Sequence, residues 1–231
     1  MTGIPNYLSL LALFICWPSY GQEIKENILE NQHCQDRIAE FKQSPINQDA
    51  IVFLGNSLTE WGNWSLFFKD RHMVNRGIAG DNTLGILNRL DEIIKARPKA
   101  VFLLTGINDI SLSRSADKIF TNMKSIVYQL QAATQNTKIY IQSVFPINND
   151  FKRYKRLLGK EKEVKRLNKL LENFAKDEKI TFINIYPSLI YPRRKDILNP
   201  ELTTDGLHLN SEGYAIWTSI LLPYIEDIQA K

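Results

Sequence analysis

Hydrophobic positions follow two rhythms that alternate along this chain. Five short runs read as strands: Ala50–Leu54, His72–Asn75, Ala100–Thr105, Lys138–Val144 and Ile180–Ile185. Apolar runs of this length, rich in Val, Ile and Phe, predict strands covered on both faces. Between them, apolar residues return every three or four positions. The plainest case is Ala116–Ala133, where Ile119, Met123, Ile126, Val127 and Leu130 share one face and Ser115 is placed to cap it. Leu84–Lys95, Glu161–Lys176 and Ser211–Ile228 have similar spacing. Residues from Glu23 to about Lys42 read as a helix outside the sheet, ending before Pro45. Strands alternating with helices specify βαβ units, so the expected fold is α/β, a three-layer α/β/α sandwich around a mostly parallel sheet.

Composition adds bounds to this picture. The 231 residues are 44% hydrophobic and 23% charged, ordinary for a chain with one sizeable core. A net charge of +4, with no matching motif, gives no reason to expect nucleic acid as a partner. The first 21 residues carry no charged side chain, and Tyr7–Trp17 is an apolar stretch followed by Pro18-Ser19-Tyr20-Gly21-Gln22. Its length suits a secretory leader better than a membrane span, with cleavage after Gly21. The expected product is an exported protein, periplasmic or secreted, whose residues 22–231 form one domain. Cys34 is then the sole cysteine of the mature chain, which leaves no intramolecular disulfide.

In a parallel sheet the loops after successive strands emerge on one edge, so polar residues just past the strand ends converge. Here they are Gly55-Asn56-Ser57, then Asn75 to Asp81, then Gly106-Ile107-Asn108-Asp109, and before the last helix Asp205-Gly206-Leu207-His208. Gly-Asn-Ser alone is also good turn and capping material. The set as a whole matches what acyl transfer needs. A serine hydroxyl is a weak nucleophile until a base takes its proton and a carboxylate orients that base. Ser57, His208 and Asp205 are the candidates. The backbone N–H groups of Ser57 and Gly80 and the side-chain amide of Asn108 are candidate oxyanion donors. Of three histidines, His33 falls in the outer helix and His72 at the opposite sheet edge, leaving His208 at the functional edge. Asp81 and Asp109 read as caps or turn formers. No Gly-x-Ser-x-Gly elbow, P-loop, dinucleotide fingerprint or zinc cluster is present.

In order, these four blocks resemble those of the SGNH or GDSL hydrolases, over about residues 50 to 225. Asn75–Leu90 and the pattern near His208 look most like the platelet-activating-factor acetylhydrolase catalytic subunits and bacterial carbohydrate O-acetylesterases. The resemblance implies a flavodoxin-like order of five parallel strands and ester hydrolysis through an acyl-serine, with no metal and no other cofactor. One departure stands out: Asn56 occupies the place of the family's aspartate before the serine. That aspartate does not orient the histidine, so activity is expected to survive.

Two features bear on the substrate. Trp61 and Trp64 follow the nucleophile, and each could stack on a sugar ring, hold an acyl chain or simply pack. The basic runs Lys152-Arg153-Tyr154-Lys155-Arg156 and Arg193-Arg194-Lys195 are either a solvated face or a site for an anionic group on the substrate, with Arg193 and Arg194 as candidates. No long amphipathic lid is evident, which favours a short acyl group, acetyl above all, on carbohydrate such as O-acetylated sialic acid or polysaccharide. The alternatives are a lysophospholipase or phospholipid acyl hydrolase, and a non-catalytic carbohydrate-binding protein on the same scaffold. No stable membrane insertion is expected after leader cleavage, and the sequence does not specify an oligomeric state.

Overall fold

All five expected strands form and pair in parallel. They are β1 (Ile51–Gly55), β2 (Met73–Gly77), β3 (Ala100–Leu104), β4 (Lys138–Gln142) and β5 (Thr181–Ile183), in the spatial order β2-β1-β3-β4-β5. These assignments come from a computed structural model that describes residues 28–69, 71–134 and 136–229. The expected leader, residues 1–21, lies outside the described residues. The chain steps from β1 outward to β2 and returns to the other side of β1 for β3, which makes the crevice between β1 and β3 the switch point of the sheet. Register brings the strand ends level there, with Gly55 beside both Gly77 and Leu104.

Helix α1 (Gln32–Gln43) precedes β1; α2 (Ser57–Glu60) and α3 (Trp64–Phe67) follow it. Next come α4 (Thr83–Leu87) and α5 (Asp91–Ala96), then α6 (Ile107–Ser111) and α7 (Ala116–Ala133) after β3. Finally, α8 (Glu161–Asp177) joins β4 to β5, and α9 (Ser211–Gln229) closes the chain. Alternation along each strand sorts the core into two layers. Val52, Leu54, Val101, Leu103, Ile139 and Ile141 pack against α5, α7 and α8, while Phe53, Phe102, Tyr140 and Ile183 pack against α3 and α9. Phe53 stacks on Trp64 at 3.9 Å between centroids, and Trp217 meets Trp64 edge-on at 4.8 Å.

Ser115 caps α7 as expected, accepting from the Lys118 N–H. Two expectations change. The single helix over Leu84–Lys95 is broken into α4 and α5. Arg89, in the break, turns inward to the buried Asp81 and to the Gly55 carbonyl instead of continuing an amphipathic face. The outer helix starts only at Gln32, where Asn31 accepts from the His33 N–H; one 3-10 turn, Ile28–Glu30, precedes it, and residues 23–27 lie outside the described residues. Cys34 is fully buried in that helix, and burial pushes its thiol up to about 11, leaving a small protonated hydrophobe.

Candidate active site

The strand β1 ends at Gly55 because the chain must pass close to its neighbour there: a Cβ would lie 2.3 Å from the Leu104 carbonyl. Asn56 then caps α2, its Oδ1 accepting from the Leu58 N–H at 3.0 Å. Ser57 is thereby the first residue of a short helix, and the N–H groups of a first helical turn have no intrahelical acceptor. The place of the family's aspartate is thus filled by a residue that can make the same cap without a charge.

From Ser57 a line of hydrogen bonds runs across 151 residues of sequence. The Ser57 hydroxyl lies 2.9 Å from His208 Nε2, and His208 Nδ1 lies 2.7 Å from Asp205 Oδ2. The second carboxylate oxygen of Asp205 accepts the N–H groups of Leu207 at 2.9 Å and His208 at 2.8 Å, so one turn of chain presents both side chains. Thr203 closes this turn, donating to the His208 carbonyl and accepting from the Gly206 N–H. Gly206 has φ +88, and a Cβ on it would collide with the Asn148 carbonyl. Burial works to raise the Asp205 pKa. It is outweighed by the His208 side chain and backbone N–H and by the Tyr154 hydroxyl, which hold the carboxyl well below its ordinary range.

On the other side of Ser57, β2 and β3 deliver Gly80 and Asn108. Gly80 sits at φ +84, a conformation that side-chain-bearing residues resist. Asn108, buried at the start of α6, donates its amide to the Asp81 carbonyl at 2.8 Å, tying the third strand's loop to the second's. Beneath these loops lie two buried acids. Asp81 accepts from Arg89 and from the Asn82 N–H at 2.8 Å each, and burial still pushes its carboxyl up to about 6. Asp109 accepts from the Thr83 N–H at 3.0 Å and hydroxyl at 2.7 Å and pairs with Arg114 at 2.8 Å. Both acids are structural, but where the sequence pointed to local caps or turns they tie separate loops together through Arg89, Thr83 and Arg114.

The two tryptophans divide. Trp64 is core, its indole N–H donating to the Thr59 carbonyl, whereas Trp61 is 52% exposed and its ring lies 4.1 Å from the His208 ring. Arg193 and Arg194 are exposed; Arg194 pairs with Asp150, joining the loop after β4 to the basic run before Asp205. Asn148 stitches that same loop to the His208 turn and to Leu198 through its own N–H and amide.

Two neighbours of the site escape the sequence reading. Tyr154, noted there only as part of a basic run, places its hydroxyl 2.7 Å from Asp205 Oδ2 and 3.1 Å from His208 Nδ1. Glu60, one turn after Ser57, accepts from the Ala79 N–H, next to Gly80. It is gripped from α1 by His33 at 2.9 Å and by Arg37 at 3.5 Å. Nothing local in the sequence marks either: Tyr154 lies inside a basic run and Glu60 on a short helix. Among the described residues no group of His, Cys, Asp and Glu is arranged to hold a metal ion.

Known proteins share this arrangement of chain. A subunit of platelet-activating factor acetylhydrolase from Rattus norvegicus (IB subunit alpha1) is 29% identical over 102 residues, 42% of this chain and 43% of that protein. The N-acylneuraminate cytidylyltransferase of an Escherichia coli strain is 30% identical over 193 residues, 80% of this chain and 42% of that protein. The chain therefore matches less than half the length of either relative. The crystal structure of a GDSL-like lipase from Bacteroides thetaiotaomicron superposes with a TM-score of 0.74 at 27% identity, covering 84% of this chain and 97% of that one. The model of the GDSL-like lipase/acylhydrolase family matches residues 53–216, from the strand before Ser57 to beyond His208, and the chain belongs to that family of ester hydrolases.

Proposed function

We propose that the protein is an exported serine esterase that removes short acyl groups, acetyl above all, from carbohydrate. The observation that carries this reading is the continuous chain from Ser57 Oγ through His208 to Asp205. As Oγ attacks the ester carbonyl, His208 Nε2 takes its proton and Asp205 stabilises the imidazolium. The N–H groups of Ser57 and Gly80 and the amide of Asn108 receive the developing oxyanion. His208 then returns the proton to the departing alkoxide as the ester C–O bond breaks, leaving an acyl group on Ser57. Water, deprotonated by His208, attacks the acyl carbonyl; the bond to Ser57 Oγ breaks, His208 returns the proton to Oγ, and the acid leaves.

Two observations support an acidic sugar as the carrier of the acyl group. The Escherichia coli relative is named for an N-acylneuraminate, and Tyr154, inside the first basic run, touches Asp205 and His208, while Arg194 of the second pairs with Asp150 on the same loop. In this reading Trp61 stacks on the sugar ring and Arg193 or Arg194 meets its carboxylate. The rival, a lipid acyl hydrolase, is favoured by the exposed Leu66, Phe67 and Leu84.

The deciding experiment measures p-nitrophenyl acetate, butyrate and palmitate hydrolysis, then acetate release from neutral and acidic acetylated sugars. Acetate should be the preferred acyl group, Ser57→Ala should lose ~10⁶ in turnover, and Arg193→Ala or Arg194→Ala should lose more on acidic than on neutral sugars. Full activity in Ser57→Ala refutes the nucleophile, a palmitate preference favours the lipid rival, and equal losses end the arginine assignment. No turnover, together with an active-site label that fails to modify Ser57, would leave a binding protein. Export rests on residues 1–21; a mature product beginning at Gln22 outside the cytoplasm is expected, and an uncleaved cytoplasmic product contradicts it.

A further inference from the structure

The Asp205 carboxylate has one side-chain partner that the hydrolytic cycle does not use. Tyr154 comes from the loop after β4, half-buried against the core, with its hydroxyl 2.7 Å from Oδ2. Oδ2 is the same oxygen that faces His208 Nδ1. That loop is not free to swing. Its Asn148 N–H donates to the Gly206 carbonyl at 2.8 Å, its Asn149 amide donates to the Leu157 carbonyl and to Glu161, and Gly206 must be glycine for the loop to lie so close. The phenol has a single proton. Burial, then the bond to Asp205, raises its pKa far above neutrality, so it donates to the carboxylate throughout the working range.

We propose that Tyr154 is a positioning residue of the hydrolytic site, fixing the Asp205 oxygen that orients His208 and drawing negative charge away from it. The inference rests on the esterase reading above. A carboxylate oxygen that accepts a second hydrogen bond stabilises a neighbouring imidazolium less, so taking the Tyr154 hydroxyl away from Oδ2 should strengthen the hold of Asp205 on a protonated His208. Charged and titratable groups at this point include Asp205 and His208 on the turn before α9, and Tyr154 with its neighbour Arg153 on the β4 loop.

Tyr154→Phe removes only the hydroxyl and keeps the ring in its place. The acid limb of its kcat/KM profile should move to higher pH by roughly half a unit or more, and its plateau kcat should fall by about tenfold. KM and the melting temperature should stay close to the parent's. The decisive measurement needs no turnover: an NMR titration of His208, one of three histidines, in Ser57→Ala and in Ser57→Ala/Tyr154→Phe. A higher midpoint in the double variant supports the role. An unchanged or lower midpoint overturns it, whatever the fate of the esterase reading, which fails separately if Ser57→Ala keeps full activity.

Discussion

Asn108 shows how much one side chain depends on its neighbours. Its amide has two protons; one is committed to the Asp81 carbonyl at 2.8 Å, and this fixes the plane in which the other points. An oxyanion donor that is fixed before the reaction stabilises developing charge without reorganising. Asn108→Ala should therefore lower kcat by about 10²–10³ with KM little changed, measured by steady-state kinetics on the preferred ester. A loss confined to KM would show that the residue binds substrate but does not stabilise the transition state. Ser57, Asn108, Asp205 and His208 are all visible in the sequence because their types and order are restrictive. Tyr154 and Glu60 are not, since a tyrosine inside a basic run and a glutamate on a helix have many commoner uses.

At the scale of elements, the site is an edge property of the sheet. Level strand ends at Gly55, Gly77 and Leu104 place three loops side by side, and the switch point between β1 and β3 opens the space between them. The break between α4 and α5 belongs to this construction. Arg89 leaves the helix face to neutralise the buried Asp81 and to bind the Gly55 carbonyl, joining the loop before Ser57 to the loop that carries Gly80. Arg89→Ala leaves a buried carboxylate without its cation and should cost about 3–5 kcal/mol of stability. A urea-denaturation midpoint equal to the parent's would show that the pair is not a tie between the two loops. Helical spacing across Leu84–Lys95 hides this break, because Ile86, Leu90 and Ile93 are all buried whether the backbone is continuous or interrupted.

For the whole molecule, acid should loosen the site and the fold together. Asp205 is held below its ordinary value of 3.8 by its partners, so its contribution to stability is complete above that value and is withdrawn as pH falls below it. The parent should lose stability from about pH 4 downward, and Asp205→Asn should flatten that dependence, as read from urea midpoints between pH 3 and 7. Identical slopes in both proteins would contradict the depressed titration.

The sequence by itself determined the alternation of strands and helices, the three-layer α/β/α class, and the residues Ser57, Gly80, Asn108, Asp205 and His208 as candidates for one edge. These are readable because periodicity and turn chemistry act over a few residues at a time. Only the tertiary structure decided that Trp64 is core while Trp61 lies over His208, that Asn56 keeps the cap, and that His33 and Arg37 reach Glu60. It also decided that Tyr154 meets Asp205 across 51 residues of chain. Such contacts are set by how layers and loops pack against each other, and that packing depends on the whole chain closing around its sheet.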